Sequence, residues 1–270
     1  MNFADMNLLF LIILFTLLGG VLSILAAAVF LLLSDTRRER VLPHGVSFAV
    51  GALLAVALWG LLPHAIEKVG VEHVHGLLLT VLIGILIFFL LEKLMLWRHC
   101  HASDCEAHVN MEEHLHLHQP AGTLILLGDA IHNFVDGVLI AAAFLTDAHL
   151  GIVTSLAVAA HEIPQEVGDF AILLQSGYSR ARSLVYNLLA SLATVAGGVL
   201  GYFSLGDLHD WLPYFLAAAA SSFLYVAVAD LIPTLHKRPH VRETLEQMTM
   251  IAAGVLLICW VHDFAHRFGG

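Results

Sequence analysis

Eight apolar stretches of about 20 residues or more follow one another along the chain, and this repetition restricts the fold more than any other feature. They run approximately over 6–33, 43–67, 74–97, 121–146, 150–176, 183–205, 211–236 and 247–266, numbered here as segments 1 to 8. Each is long enough to cross roughly 30 Å of hydrocarbon at about 1.5 Å per residue. A soluble core hides one or two such helices, not eight. Only 13% of residues are charged, about half the usual soluble fraction of about 25%. In lipid, only helices or closed barrels satisfy every backbone group. The strict alternation of a barrel strand is absent. The expectation is an all-α integral membrane protein with about eight transmembrane helices, forming a single domain over 1–270. The first segment lacks a basic leader and is long enough to span, so it reads as a helix rather than a cleavable signal peptide.

Basic residues set the topology. Arg37, Arg38 and Arg40 follow segment 1, and Lys93 and Arg98 close segment 3. Arg180 and Arg182 follow segment 5, and Lys237, Arg238 and Arg242 follow segment 7. These are ten of the twelve Lys and Arg; only Lys68 and Arg267 fall on the other side. Positively charged loops stay inside, so both termini are expected outside. The short loops suit a bacterial inner membrane. The formal net charge of −10 and the lack of a basic stripe exclude nucleic acid as a partner. A homodimer is compatible with these features. Segment 2 ends in Gly60-Leu61-Leu62-Pro63-His64, and segment 7 in Asp230-Leu231-Ile232-Pro233-Thr234. The two cross in opposite directions, which suggests an inverted repeat of helices 1–3 and 6–8 around helices 4–5.

Polar residues inside the spans point to chemistry. Segment 4 carries Asp129, His132, Asn133 and Asp136 at i, i+3, i+4 and i+7, one helix face. Gly137 beside them lets a neighbouring helix come close. Segment 5 carries His161 and Gln165 on one stripe, with Glu162, Glu166 and Asp169 on the next. Pro164 offers no N–H to the carbonyl of Ala160, so a kink is expected there. Ionisable groups at midplane each cost about 2.5–3.5 kcal/mol on insertion scales, and no Lys or Arg occurs in these two segments to pair with them. Acids and imidazoles without basic partners attract a cation. Imidazole, carboxylate and amide together suit Zn²⁺, Fe²⁺ or Mn²⁺ better than Ca²⁺ or Mg²⁺. A proton relay uses the same residue types.

Further polar residues mark a path. His64 and Glu67 share a face at the outer end of segment 2, and His262, Asp263 and His266 end segment 8 on the same side. Asp129, Glu166 and Asp169 lie towards the inner side, with Asp230 and His236 of segment 7 as candidate neighbours. The loop at 98–119 holds His99, Cys100, His101, Cys105, His108, His114, His116 and His118. Their irregular spacing fits no structural zinc finger. A His-rich cytoplasmic loop of this kind reads as a metal buffer or sensor. Cys259, in an apolar segment, reads as packing.

The motifs His132-Asn133-Phe134-Val135-Asp136-Gly137 and His161-Glu162-Ile163-Pro164-Gln165-Glu166-Val167-Gly168-Asp169 resemble the paired signature of the ZIP (Zrt/Irt-like) metal transporters. The branch with HNxxDG and HEIPxExGD is the most similar. The resemblance implies a divalent metal carrier, chiefly for zinc, with iron, manganese or cadmium as alternatives, moving metal towards the cytoplasm. It implies a site between helices 4 and 5 with His132, His161 and Glu162 as primary ligands, and Asn133 and Asp136 at the same or an adjoining site. It also implies alternating access against a scaffold of helices 2, 3, 7 and 8, without an organic cofactor. Two departures stand out. Gln165 replaces the His or Glu found in other members, and segment 6 offers Asn187, Ser191 and Thr194 rather than a carboxylate. One principal ion is therefore expected. The rival reading is a membrane-embedded metal-dependent hydrolase using His161 and Glu162, but His-Glu-x-x-His would need His at Gln165. A second rival is a proton-coupled carrier of an organic cation.

Overall fold

Eight long helices form the fold described by the computed structural model, which covers residues 3–100, 119–236 and 241–268. Helix α1 is Phe3–Leu31. Helix α2 runs as Asp35–Ala55, a π-helical stretch Val56–Leu61 and Leu62–Val69. Helices α3, α4, α5 and α6 are Val74–Cys100, Gln119–Thr146, Ala148–Gln175 and Arg180–Leu205. Helix α7 is Leu212–Tyr225, π-helical Val226–Leu231 and Ile232–Leu235, and α8 is Val241–Phe268. Among the described residues, seven helices are long and apolar enough to cross a membrane. The eighth, α5, is 28 residues long but carries Glu162, Glu166 and Asp169, which lower its hydropathy. Its length and its place among the others make it a span.

Burial is arranged for lipid. The most apolar window of α2 is 72% buried, whereas those of α3 and α8 are 17% and 11% buried. Helix α2 is thus central, and α3 and α8 face outward with large apolar side chains such as Leu86, Leu90, Leu256 and Trp260. The core beside α2 is packed by Leu53, Leu61, Phe144, Leu216 and Phe223.

Small residues define the closest helix pairs. A Cβ at Gly137 of α4 would lie 2.7 Å from Gly198 N, and one at Gly197 of α6 would lie 2.9 Å from Phe134 C. The close approach expected at Gly137 is present, and it is to α6. A Cβ at Gly254 of α8 would lie 2.9 Å from Ala52 N, so α2 and α8 meet in the same way. Helix α1 covers α5 and α6, and α3 packs on α7.

Proline shapes α2 and α7 alike. Each π-helical stretch ends two residues before a proline, Pro63 or Pro233. The Leu62 and Ile232 N–H groups donate to Ala57 O and Ala227 O, five residues back. A widened turn before the ring relieves its clash with the preceding carbonyls. The shared register adds a structural parallel to the sequence similarity of the two helix ends. Pro164 behaves differently: α5 remains one α-helix from Ala148 to Gln175, with no π-helical turn before the ring.

Candidate metal centre

Helices α4 and α5 are joined by a single residue. Asp147 is extended (φ −161°, ψ 135°) and its carboxylate accepts from Leu150 N at 2.9 Å, capping α5. So short a link makes α5 return antiparallel beside α4. His132 precedes Asp147 and His161 follows it by almost the same stretch of helix. At about 1.5 Å per residue both imidazoles reach the same depth, about 21–23 Å from the reversal. The pairing of the two motifs is thus a consequence of chain length on either side of one turn.

The side chains converge there. His132 Nε2 and His161 Nε2 are 3.2 Å apart. Asp136 Oδ2 is 3.2 Å from His161 Nε2 and 3.7 Å from His132 Nε2. Glu162 Oε1 is 3.7 Å from each imidazole nitrogen. His161 Nδ1 donates to Ala157 O at 3.2 Å. In the neutral ring this leaves the Nε2 lone pair directed at the cluster, the tautomer a metal ligand needs. The side chains of His161, Asp136 and Glu162 are at most 3% exposed, while that of His132 is 23% exposed, which makes His132 the accessible edge.

These spacings suit an ion. Two nitrogen ligands at about 2.0–2.1 Å from a tetrahedral Zn²⁺ lie about 3.3 Å from one another. The His132–His161 and His161–Asp136 separations are already of that size, and the longer ones to Glu162 and from His132 to Asp136 need only a small contraction. One ligand atom from each of His132, Asp136, His161 and Glu162 lies within 4.8 Å of the rest. Among the described residues, the ion pairs made by these acids are with His132 and His161, and none is with Lys or Arg.

One turn further from the reversal, a hydrogen-bonded layer follows. Asn133 Nδ2 donates to Asp129 Oδ1 at 2.9 Å and to the Asp129 carbonyl at 3.1 Å. Gln165 Nε2 donates to the same Asp129 Oδ1 at 3.2 Å. Thr194 Oγ1 of α6 donates to Asn133 Oδ1 at 2.7 Å, and Ser191 Oγ donates to Glu166 Oε1 at 2.7 Å. Helix α6 thus orients residues of both neighbouring helices.

A sequence profile described as "ZIP Zinc transporter" matches residues 97–262. This chain belongs to the ZIP zinc transporter family. Zinc transporter ZIP13 of Pongo abelii is 32% identical over 229 residues, covering 79% of this chain and 64% of that protein. Zinc transporter ZIP10 of Danio rerio is 44% identical over 112 residues, 42% of this chain and 13% of the relative. Human zinc transporter ZIP4 is 38% identical over 139 residues, 50% and 21% respectively. The chain therefore spans only a small part of the length of the last two. These ZIP relatives are animal proteins and lend no support to the bacterial inner membrane.

The remaining residues singled out from the sequence fall in several places in this ZIP chain. Asp129, Glu162 and Glu166 form a second buried group. Asp169 is half-buried beyond them, and His236 is exposed at the end of α7, outside both groups. His64 is half-buried, donates from Nδ1 to Gly60 O at 3.0 Å and stacks edge-on against His262, ring centroids 5.5 Å apart. Glu67 is exposed at the same end. Asp230 is exposed in the π-helical stretch of α7. His99 and Cys100 lie on the last turn of α3. His101, Cys105, His108, His114, His116 and His118 lie outside the described residues. The positioning work of Ser191 and Thr194 was not read from sequence. The signal was there, since Asn187, Ser191 and Thr194 repeat the i, i+4, i+7 stripe and all three are buried.

Proposed function

We propose that this chain carries divalent transition-metal ions across the membrane, with zinc as the principal cargo. The observation that carries the reading is the cage of His132, Asp136, His161 and Glu162, buried between two membrane helices with, among the described residues, no Lys or Arg paired to its acids. The zinc assignment is supported by the mixed imidazole–carboxylate donors and by the names of the relatives. Iron, manganese and cadmium suit the same donors.

His132, His161, Glu162 and Asp136 serve as ligands of the transported ion. Metal enters past His64 and Glu67 and leaves past Asp129, Glu166 and Asp169, towards the face that bears the Arg-rich starts of α2 and α6. The positive-inside rule makes that face cytoplasmic, with both termini outside. The two glycine seams support alternating access, because they tie α4 to α6 and α2 to α8 as separate tight pairs. The helices that carry the site then shift against α2, α3, α7 and α8.

A hydrolase at His161 and Glu162 is not favoured. Its third ligand would have to come from Gln165, whose amide nitrogen is turned to Asp129. Purified protein in metal-free liposomes is expected to admit Zn²⁺ down its gradient, and His132→Ala or Glu162→Ala to abolish the flux. Wild-type flux in both variants would refute the assigned site. Cleavage of a peptide or lipid by wild type, lost in Glu162→Ala, would favour the hydrolase.

A further inference from the structure

A cavity of about 690 Å³ opens between the first turns of α2 and α8. Its walls carry charges of both signs: Arg40 and His44 from α2, and Arg242, Glu243 and Glu246 from α8. The two helices are seamed at Gly51, where a Cβ would lie 2.9 Å from Ile251 C. About two turns nearer their starts, the seam gives way to the cavity. The apolar runs begin near 43 and 247. The cavity therefore straddles the level where polar residues yield to apolar ones, which is the depth of lipid headgroups. Beside the charged wall, α8 presents an exposed apolar stripe of Val241, Leu245, Met248 and Leu256, spaced i, i+4, i+7 and i+15.

The polar atoms suit a cation that brings its own hydrogen-bond donors. His44 Nδ1 donates to Arg40 O at 2.8 Å, so in the neutral ring Nε2 is a bare acceptor. That atom lies 3.6 Å from Glu246 Oε2, and the buried Glu243 Oε2 has no hydrogen-bond partner. The acceptors of these three residues are not gathered within 4.8 Å as those of the imidazole cage are. That spacing fits an ammonium, whose donors reach about 2.7–2.9 Å, better than a bare ion with ligands at about 2.0–2.2 Å. Arg40 and Arg242 supply the opposite sign. Arg242 reaches Glu246 Oε1 through Nε at 3.0 Å, which leaves its outer nitrogens for another anion. Among the described residues, no carboxylate pairs with Arg40.

We propose that this cavity binds the headgroup of a phospholipid of the phosphoethanolamine class. The ammonium sits on Glu243, Glu246 and His44, the phosphate on Arg40 and Arg242, and the acyl chains lie along the apolar stripe of α8. A zwitterion matches both signs of the wall. A purely anionic headgroup would leave the Glu243 charge unanswered, and a quaternary ammonium has no N–H to offer the three acceptors. A lipid held in this way joins the starts of α2 and α8 where the glycine seam no longer does.

The test is native mass spectrometry of the full chain, equilibrated in detergent with equimolar phosphatidylethanolamine, phosphatidylglycerol and phosphatidylcholine of identical acyl chains. One phosphatidylethanolamine per chain is expected to be retained, roughly tenfold in preference to either competitor. Its mono- and dimethylated forms should fall stepwise between it and phosphatidylcholine, as N–H donors are removed one at a time. Equal retention of all headgroups would overturn the proposal, as would a preference for phosphatidylglycerol. Glu243→Gln with Glu246→Gln should abolish the preference, and Arg40→Gln should lower retention about fivefold; an unchanged preference in the paired glutamine variant would also overturn it. Should that variant fail to fold, the methylation series on wild type decides, since it needs no substitution. Soluble phosphoethanolamine at millimolar concentration should leave the lipid in place, and displacement by it would make the headgroup alone the ligand and sink the lipid assignment. Zn²⁺ should likewise leave retention unchanged; displacement by Zn²⁺ that a chelator reverses would make the cavity a metal site instead.

Discussion

The Nε2 atoms of His132 and His161 lie 3.2 Å apart, each almost equally far along its helix from the single-residue reversal at Asp147. Nothing but a proton or a cation makes this approach favourable, because two imidazole lone pairs repel. The proposed ion should therefore stabilise the fold as well as occupy the site. Zn²⁺ at about 100 times its dissociation constant adds about 2.7 kcal/mol to a protein that binds it only when folded. Wild type in nanodiscs is expected to melt at higher temperature with Zn²⁺ than with chelator. His132→Ala with His161→Ala should lose most of that difference. An undiminished shift in the variant would place the stabilising ion elsewhere, for example on the loop histidines.

Tyr225 provides a separate test of the scaffold. Its hydroxyl donates to a Glu92 carboxylate oxygen, a part-buried contact that joins α7 to α3. Tyr225→Phe removes the donor and keeps the ring, which stacks with Phe88 at 6.4 Å. Leaving the Glu92 oxygen unsatisfied costs about 1–3 kcal/mol. Urea or thermal unfolding should register that loss, while Zn²⁺ affinity stays within about twofold. A large change in affinity would show that Glu92 belongs to the metal path after all.

The loop between α3 and α4 carries a separate set of candidate ligands. If its histidines and cysteines serve as a buffer or sensor, deleting 102–116 should leave initial Zn²⁺ uptake in liposomes near the wild-type rate. Its response to accumulated internal zinc should change. A collapse of initial uptake would instead make the loop part of the conduction path.

Much of this fold can be read directly from hydropathy, because lipid removes the alternatives to helix. The eight segments match the eight helices, and their ends differ most at α2 and α8. Helix α2 begins at Asp35 rather than near Pro43, and α8 at Val241 rather than near Gln247. The extra turns are polar, Asp35-Thr36-Arg37-Arg38-Glu39-Arg40 in the first case. An apolar window stops there although the helix runs on. The motif spacing announced the imidazole cage, since i, i+3 and i+4 patterns on two consecutive helices leave few ways to arrange the side chains. The polar layer below it was less legible. Whether Asn133 ligates or positions depends on which atom Thr194 of α6 reaches, and that contact between residues 61 positions apart leaves no local trace. The π-helical turns before Pro63 and Pro233 were equally hidden. A proline marks a disturbance, but its neighbours decide whether it widens the helix into a π-turn, as here, or leaves it α-helical, as at Pro164.

Glycine offers the sharpest contrast within the fold. Gly137 follows Asp136 in the metal motif, and a Cβ there would lie 2.7 Å from Gly198 N and closer still to Thr194 O. Both obstacles are backbone, so α4 and α6 must part to admit a methyl group. Overpacking of this kind costs about 1–3 kcal/mol. The same movement would stretch the Thr194–Asn133 hydrogen bond that orients Asp129. Gly45, near the start of α2, has nothing within 4 Å of its would-be Cβ, and replacing helical Gly by Ala there should gain up to about 1 kcal/mol. Gly137→Ala is therefore expected to lower the melting temperature and raise the KM for Zn²⁺ uptake several-fold, whereas Gly45→Ala leaves KM unchanged and stability equal or higher. If Gly137→Ala lowers stability but leaves KM alone, the α4–α6 seam is structural only, and the link from α6 to the metal ligands is broken.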